Sequence, residues 1–392
     1  NAGTLSFQAV NIPSTGTSSA ATISFGDSND TGTLQMVDTA SASTVRPVNL
    51  NGNAVIDLEA PAGNTSTGSL TLAGQVSGNG VLTEIGTGTL ILSNSSNSYS
   101  GATNISSGTL ELSRSGILTS SSAVNINAGA TLLLAGSSNT AAGSMAIKYL
   151  PPLNISAGGS VVVATSTLHA NRLLVVPTSI SLAGTIGAWT GKIDLTNNDL
   201  DVPNGNLAML TNMVKQGYNG GNWSGAAGIT SSSAANDSTH LTALGVIQNS
   251  VDGTPNGNPL YGGALGTFDG LNPSSTDVLI KYTYYGDTNL DGVVDGSDYS
   301  RIDASFEAET PSNPISGWFN GDFNYDGVID GSDYTLIDNA YNAQGASLAA
   351  AIALPTAQIG STSAVPEPTL LGVVGLTAIG LLGRRRRGGS SI

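Results

Sequence analysis

A chain of 392 residues has room for two or three domains and a substantial core. It holds no cysteine, which excludes disulfides, thiolate metal sites and cysteine nucleophiles, and only 10% of it is charged. The net charge of −15 is concentrated: twelve of the 27 acidic residues lie between Asp287 and Asp338, with Arg301 the one base among them, and the basic face that nucleic acid requires is missing. Abundant Gly, Ser, Thr and Asn would suit disorder, but the apolar residues are periodic, so packed structure is expected. The chain starts at Asn1 without a basic–apolar leader, as expected where a signal peptide has been removed or left out.

From the start to about residue 165 one phrase returns. Gly3-Thr-Leu-Ser-Phe, Gly32-Thr-Leu-Gln-Met, Gly68-Ser-Leu-Thr-Leu, Gly88-Thr-Leu-Ile-Leu, Gly108-Thr-Leu-Glu-Leu, Gly129-Ala-Thr-Leu-Leu-Leu and Gly159-Ser-Val-Val-Val are its versions. Each is a turn glycine followed by alternating apolar residues, which predicts a short strand with one face buried. The central glycines, 68, 88, 108 and 129, step by 20 to 21 residues, with second strands such as Gly101-Ala-Thr-Asn-Ile and Ala123-Val-Asn-Ile-Asn between them. That period predicts a stacked β-solenoid; a β-sandwich is the alternative. The stretch Gly80–Ser93, Asn97–Thr103 and Ser107–Leu112 resembles the autotransporter-associated β-strand repeat over some 35 residues. The resemblance implies a right-handed β-helix on a surface or secreted protein.

Between 166 and 285 the repeat fades. Lys192–Val202 reads as two strands around an Asn197-Asn198 turn, and Leu207, Leu210 and Val214 as a short helix capped by Asn206. Gly217–Gly225 is a glycine-rich loop carrying Tyr218 and Trp223, and Val278–Tyr285 a strand running straight into the acidic stretch that begins at Asp287. The segment is expected to cap the solenoid's end and to pack against the next module. Asp194, Asp199 and Asp201 near the turn, with the histidines His169 and His240, are the candidates for carboxylate chemistry. They read instead as turn and surface acids, and Tyr218 and Trp223 as anchors of their loop. No nucleophile–base constellation, phosphate loop or histidine metal motif supports an enzyme.

Next, one pattern is written twice, 35 residues apart: Asp287-Thr-Asn-Leu-Asp-Gly-Val-Val-Asp-Gly-Ser-Asp298 and Asp322-Phe-Asn-Tyr-Asp-Gly-Val-Ile-Asp-Gly-Ser-Asp333. Oxygen-bearing side chains at positions 1, 3, 5, 9 and 12, glycine at 6 and a β-branched residue at 7 suit a hard cation that wants six to eight oxygens. Each loop leads into a helix with the same stripe, Tyr299, Ile302 and Phe306, then Tyr334, Ile337 and Tyr341, and the two stripes are expected to bury each other. Loop-first order, Asp at position 12 and tandem copies resemble the type I dockerin module over about 60 residues. The resemblance implies two Ca2+ ions. Asp287, Asn289, Asp291, Asp295, Asp298 and the Val293 carbonyl would hold the first. Asp322, Asn324, Asp326, Asp330, Asp333 and the Val328 carbonyl would hold the second. It further implies a cohesin partner read partly through Gly296-Ser297 and Gly331-Ser332.

After Gln344 an Ala-, Ser- and Thr-rich stretch to Ala364 reads as a linker. Val365-Pro-Glu-Pro368, a fifteen-residue, mostly apolar tract Thr369–Gly383 and Arg384–Arg387 resemble the PEP-CTERM sorting signal. That resemblance implies transient contact with the inner membrane through a short hydrophobic helix, then cleavage near Pro366–Pro368.

The expected fold is mainly β: solenoid repeats over 1–165, an end region over 166–285, an α-helical dockerin-like module over 286–345, a linker over 346–364 and a signal with a hydrophobic helix over 365–392. The expected function is an exported, cell-surface or extracellular-matrix protein for structure or adhesion, assembled with a protein partner, cohesin-like or another copy of itself. The alternative is a carbohydrate-active protein that binds or cleaves a polysaccharide and is docked through the same module.

Overall fold

The computed structural model describes residues 3–7, 21–27, 30–64, 67–136 and 145–348. Five of the glycine phrases become strands Ser69–Leu72, Thr89–Leu92, Thr109–Leu112, Thr131–Leu134 and Ser160–Val163, consecutive neighbours in one parallel sheet, while the Gly3 and Gly32 phrases pair with each other in the second sheet. Because the phrase repeats, identical positions fall in register, so Leu70, Leu90, Leu110, Leu132 and Val161 form an inward column, each at most 1% exposed. Each such side chain contributes about 1.5–3 kcal/mol of burial. Ala42–Thr44 extends this sheet at one edge, and Lys192–Asp194 and Gly228–Thr230 extend it at the other.

The intervening strands build a second eight-stranded sheet, from Gly3–Phe7 through Leu82–Gly86, Thr103–Ile105 and Val124–Ile126 to Ile180–Leu182. A three-stranded sheet, Ile23–Phe25, Val48–Leu50 and Val76–Gly78, stands beside them. Pairing between strands one repeat apart, in parallel, is the arrangement that lets strands of one repeat belong to different sheets. The approach between repeats is close: a Cβ on Gly101 would collide with the Gly80 carbonyl. Outward positions carry polar ladders. Asn154 Nδ2 donates to Asn125 Oδ1 at 2.8 Å, and Asn125 Nδ2 to Asn104 Oδ1 at 2.7 Å.

One inward position breaks the apolar pattern. Glu84 stands in register with Ile56 and Ile105 and is 1% exposed. One of its oxygens accepts Leu90 N–H at 3.3 Å, and the other has no partner. Burial pushes its carboxyl up to about 8, so at neutral pH it is largely protonated.

The end region changes strand direction. Its five-stranded sheet runs Ala146–Leu150, Leu173–Pro177, Asp199–Val202, Val278–Tyr284, Thr242–Gln248, the first three parallel and the last two joined antiparallel. Helix α1, Leu207–Tyr218, starts as the sequence predicts, with Asn206 Oδ1 accepting Met209 N–H at 2.9 Å. The Lys192–Val202 stretch is not a hairpin, however. Lys192–Asp194 pairs with Ser160–Val162 in one sheet, while Asp199 and Leu200 pair with Leu174 and Val175 in another. The turn rounds a corner, pinned by the Asn198 side chain, which bonds Ala164 O, Leu195 O and Leu173 N–H.

Nor are its acids on the surface, as the sequence alone suggested. Asp194, Asp199 and Asp201 are 7%, 0% and 1% exposed. Asp199 meets Arg172 at 2.5 Å and Lys281 at 2.9 Å, and Asp269 closes the group against Arg172. Burial works against the charge on Asp199, but Lys281 and Arg172 hold its carboxyl below the usual range. Such a closed quartet fixes geometry more than it adds stability. Tyr218 and Trp223 are buried anchors, Trp223 Nε1 donating to Tyr285 OH at 3.0 Å. Among the described residues no helix is long and apolar enough to cross a membrane. The apolar tract and arginine run of the C-terminus lie outside them.

Candidate metal centre

The strand Val278–Tyr284 feeds directly into the first loop through Gly286, and both loops turn alike. Gly292 and Gly327 at position 6 have φ of +87° and +97°, where glycine is favoured. Position 4 is also left-handed, at Leu290 and Tyr325, although neither residue type announces it.

Short turns orient the oxygens. Asn289 Oδ1 accepts Asp291 N–H, Asp291 Oδ1 accepts Val293 N–H and Asp295 Oδ1 accepts Ser297 N–H, at 2.7–3.0 Å. The second loop repeats this through Asn324, Asp326 and Asp330 at 2.8–2.9 Å. Asp287 takes Asp291 N–H and Gly292 N–H on its two oxygens.

Positions 9 and 12 also begin the helices. Asp295 and Asp298 form the capping box of α3, Gly296–Ala308, as Asp330 and Asp333 do for α4, Gly331–Ala343; the four-residue α2, Ser232–Ala235, lies earlier in the chain. A loop that closes around an ion therefore also starts its helix.

Four of the carboxylates, Asp287, Asp298, Asp322 and Asp333, are buried, while Asp295, Asp326 and Asp330 are exposed. Asp287 and Asp298 are fully buried. Burial, with Asp298 and Asp291 adding like charge, pushes Asp287 well above the usual carboxylate range. Burial likewise pushes Asp298 and Asp333 up to about 6, and it raises Asp322. Asp322 Oδ1 is buried without a hydrogen-bond partner.

As the side chains stand, no group of three or more His, Cys, Asp or Glu among the described residues is gathered tightly enough to hold a metal. Asn289 Nδ2 instead bonds Asp291 Oδ2 at 3.0 Å, and Asn324 Nδ2 bonds Asp326 Oδ2 at 2.9 Å. All-oxygen donors, an orphaned buried carboxylate oxygen and mutually repelling acids fit a hard divalent cation, whose charge would reverse each of these upward shifts.

The helix stripes meet only in part. Ile302 and Ile337 are fully buried, but Phe306 and Tyr341 stay 52% and 50% exposed. Each isoleucine packs on the glycine before the other unit's loop, Ile302 on Gly321 and Ile337 on Gly286, leaving no room for a Cβ. The aromatic rings cross edge-on instead, Tyr299 with Tyr341 at 5.5 Å and Phe306 with Tyr334 at 5.9 Å. Ser297 and Ser332 are exposed at the helix starts, each bonded to the preceding aspartate.

The module is knit into the end region, as the absence of a linker predicts. Tyr325 OH donates to Leu244 O at 2.5 Å, and within the module Trp318 Nε1 donates to Asp287 O at 2.6 Å. Trp318 lies over Gly245, where a Cβ would come within 2.6 Å of its Nε1. Arg301 stacks 3.7 Å from the Phe319 ring centre and donates to Val251 O. Sequence reasoning missed Trp318 and Gly245; a tryptophan between two loop–helix units was the one available signal.

Residues 285–342 match the family model of the dockerin type I domain. Residues 82–112 match the passenger-associated-transport-repeat. Neither the curated proteins nor the solved structures compared with the chain match it. Dockerin domains typically bind calcium and bind cohesin partners, so this part of the chain points to protein assembly. With the repeat, it suggests an exported or cell-surface protein.

Proposed function

We propose that the chain is an exported structural or adhesion protein, a right-handed β-solenoid whose dockerin-like module binds two calcium ions and joins it to a partner protein. The duplicated loops carry this reading: two twelve-residue rings, alike in donors, in turns and in their coupling to a helix start. The first ion would be held by Asp287, Asn289, Asp291, Asp295, Asp298 and the Val293 carbonyl. The second would be held by Asp322, Asn324, Asp326, Asp330, Asp333 and the Val328 carbonyl. The bound cation supplies charge neutralisation, and the loops then present two ordered helices.

Parallel in-register pairing of successive phrases, 20 residues apart from Ser69 to Thr109 and at wider steps beyond, supports the solenoid, with residues 1–165 as repeats, 166–285 as end region and 286–345 as module. A cohesin-like protein is the favoured partner and a second copy the next. The linker and PEP-CTERM-like signal would release the mature chain from the inner membrane to the surface or beyond.

The polysaccharide reading has less support. Asp194, Asp199, Asp201, Tyr218 and Trp223, the residues that could have lined a groove, are buried.

Capture of partners by the full calcium-loaded chain, repeated in chelator, tests the reading. Retention that depends on calcium is expected, and capture indifferent to chelator overturns it.

A further inference from the structure

The two loops offer the same donor types in the same order, so their chemistry alone gives them equal hold on an ion. What differs is how much of the surrounding protein must break before each loop opens.

Loop 1 is fastened on every side. The Thr283 hydroxyl bonds the Asp287 carboxylate, Trp318 bonds the Asp287 carbonyl, and Tyr261 OH bonds the Asn289 carbonyl at 3.1 Å. After α4 the chain doubles back across the loop. The Gln344 side-chain amide takes both backbone groups of Val294, its oxygen accepting the N–H at 2.8 Å and its nitrogen donating to the carbonyl at 2.7 Å. Four residues on, Leu348 N–H bonds Gly292 O at 2.8 Å, and His169 Nε2 meets Leu348 O at 2.9 Å. This strap is held down between its ends, where Gly345 N–H donates to the Tyr284 hydroxyl, which in turn donates to Ala346 O.

Among the described residues, loop 2 has one hydrogen-bonded root in the body, from Tyr325 to Leu244, besides the Gly317 N–H that bonds the Asp322 carboxylate at 3.1 Å from the segment before the loop. The residue that stands where Gln344 stands, 35 positions earlier, is Glu309, and among the described residues no side chain closes on Ile329, the counterpart of Val294. Asp326 and Val328 are exposed, where Asp291 and Val293 are half-buried.

We infer that the two sites are unequal, loop 1 keeping its ion as a part of the end region's fold and loop 2 exchanging its ion with the surroundings. The inference rests on the calcium reading of both loops. It makes Gln344 a positioning residue for the first site, since it holds Val294, and with it the neighbouring Val293 carbonyl, without being a donor itself. A change in calcium level would then be read at the second loop alone, with the first already full.

Terbium, a luminescent stand-in for calcium, tests this on the full chain by rapid mixing of the loaded protein with excess chelator. Two release phases of equal amplitude are expected, separated by about tenfold or more, because several more hydrogen bonds guard the first loop than the second. Asp326→Ala should abolish the fast phase alone. Gln344→Ala should speed the slow phase several-fold and leave the fast phase in place, while Glu309→Ala moves neither. Release of two ions in one phase, or a slow phase unmoved by Gln344→Ala, overturns the inference. A chain that takes up no terbium overturns the calcium reading itself and is told apart by its lack of signal.

Discussion

The stacked strands between 69 and 163 and the loop pair between 287 and 343 are both built from repeated sequence, yet the repeats solve opposite problems. In the strands, repetition brings like next to like to advantage: Leu110 lies between Leu90 and Leu132, and identical side chains share one dry column. In the loops, repetition brings like charges together. Burial raises the carboxyls of Asp287 and Asp298, and the like charge of Asp291 adds to the push on both. The first region is complete in itself; the second is written for a component that the chain does not encode.

Removing calcium should separate the two most sharply. In chelator, the amides of α3 and α4 should lose their protection against hydrogen exchange, while those of 69–163 keep theirs; equal loss in both would erase the distinction. Next in size are two truncations. Trp318→Ala removes the ring over Gly245 and should cost about 3–5 kcal/mol, felt as weaker calcium binding and earlier melting of the module. Leu110→Ala should cost about 2–5 kcal/mol, with calcium affinity unchanged. Titration calorimetry and denaturant melts on both variants decide whether the regions are independent in this sense.

A smaller effect sits within the strands. Glu84 has its ordinary value of 4.5 raised to about 8 in the fold, so the folded chain keeps a proton that the unfolded chain gives up. Stability from this group is intact below pH 4.5 and drains away as pH climbs through about 8. Glu84→Gln should flatten that decline and leave the protein more stable than its parent at pH 8, as measured by melts across pH. Smallest is Asn125→Ala, which interrupts the outward amide ladder and should cost about 1 kcal/mol or less.

The two regions also differed in how openly the chain displays them. Strand positions can be read from Gly88-Thr-Leu-Ile-Leu and its copies because a local alternation recurs, at an even step of 20 to 21 residues from Gly68 to Gly129 and at wider steps outside that stretch. The loops were legible for a similar reason, since donor spacing is local. What stayed hidden depends on distant partners. Asp199 reads as a turn acid until Arg172, 27 residues before it, and Lys281, 82 after it, are seen to enclose it. The Asn197-Asn198 turn signals a reversal but cannot say whether the next strand pairs with the last or leaves for another sheet. The helix stripes correctly marked Ile302 and Ile337. Each isoleucine rests on a glycine of the other unit, a pairing invisible along one helix, while Phe306 and Tyr341 stay half exposed.

The strand that leads into the first loop has a mechanical consequence. Val278–Tyr284 lies between two neighbours, and seven of its residues pair with Thr242–Gln248 alone. A pull applied along the axis of this strand would load the hydrogen bonds on both of its sides together instead of one at a time. Resistance at this junction would therefore depend on the whole length of the strand.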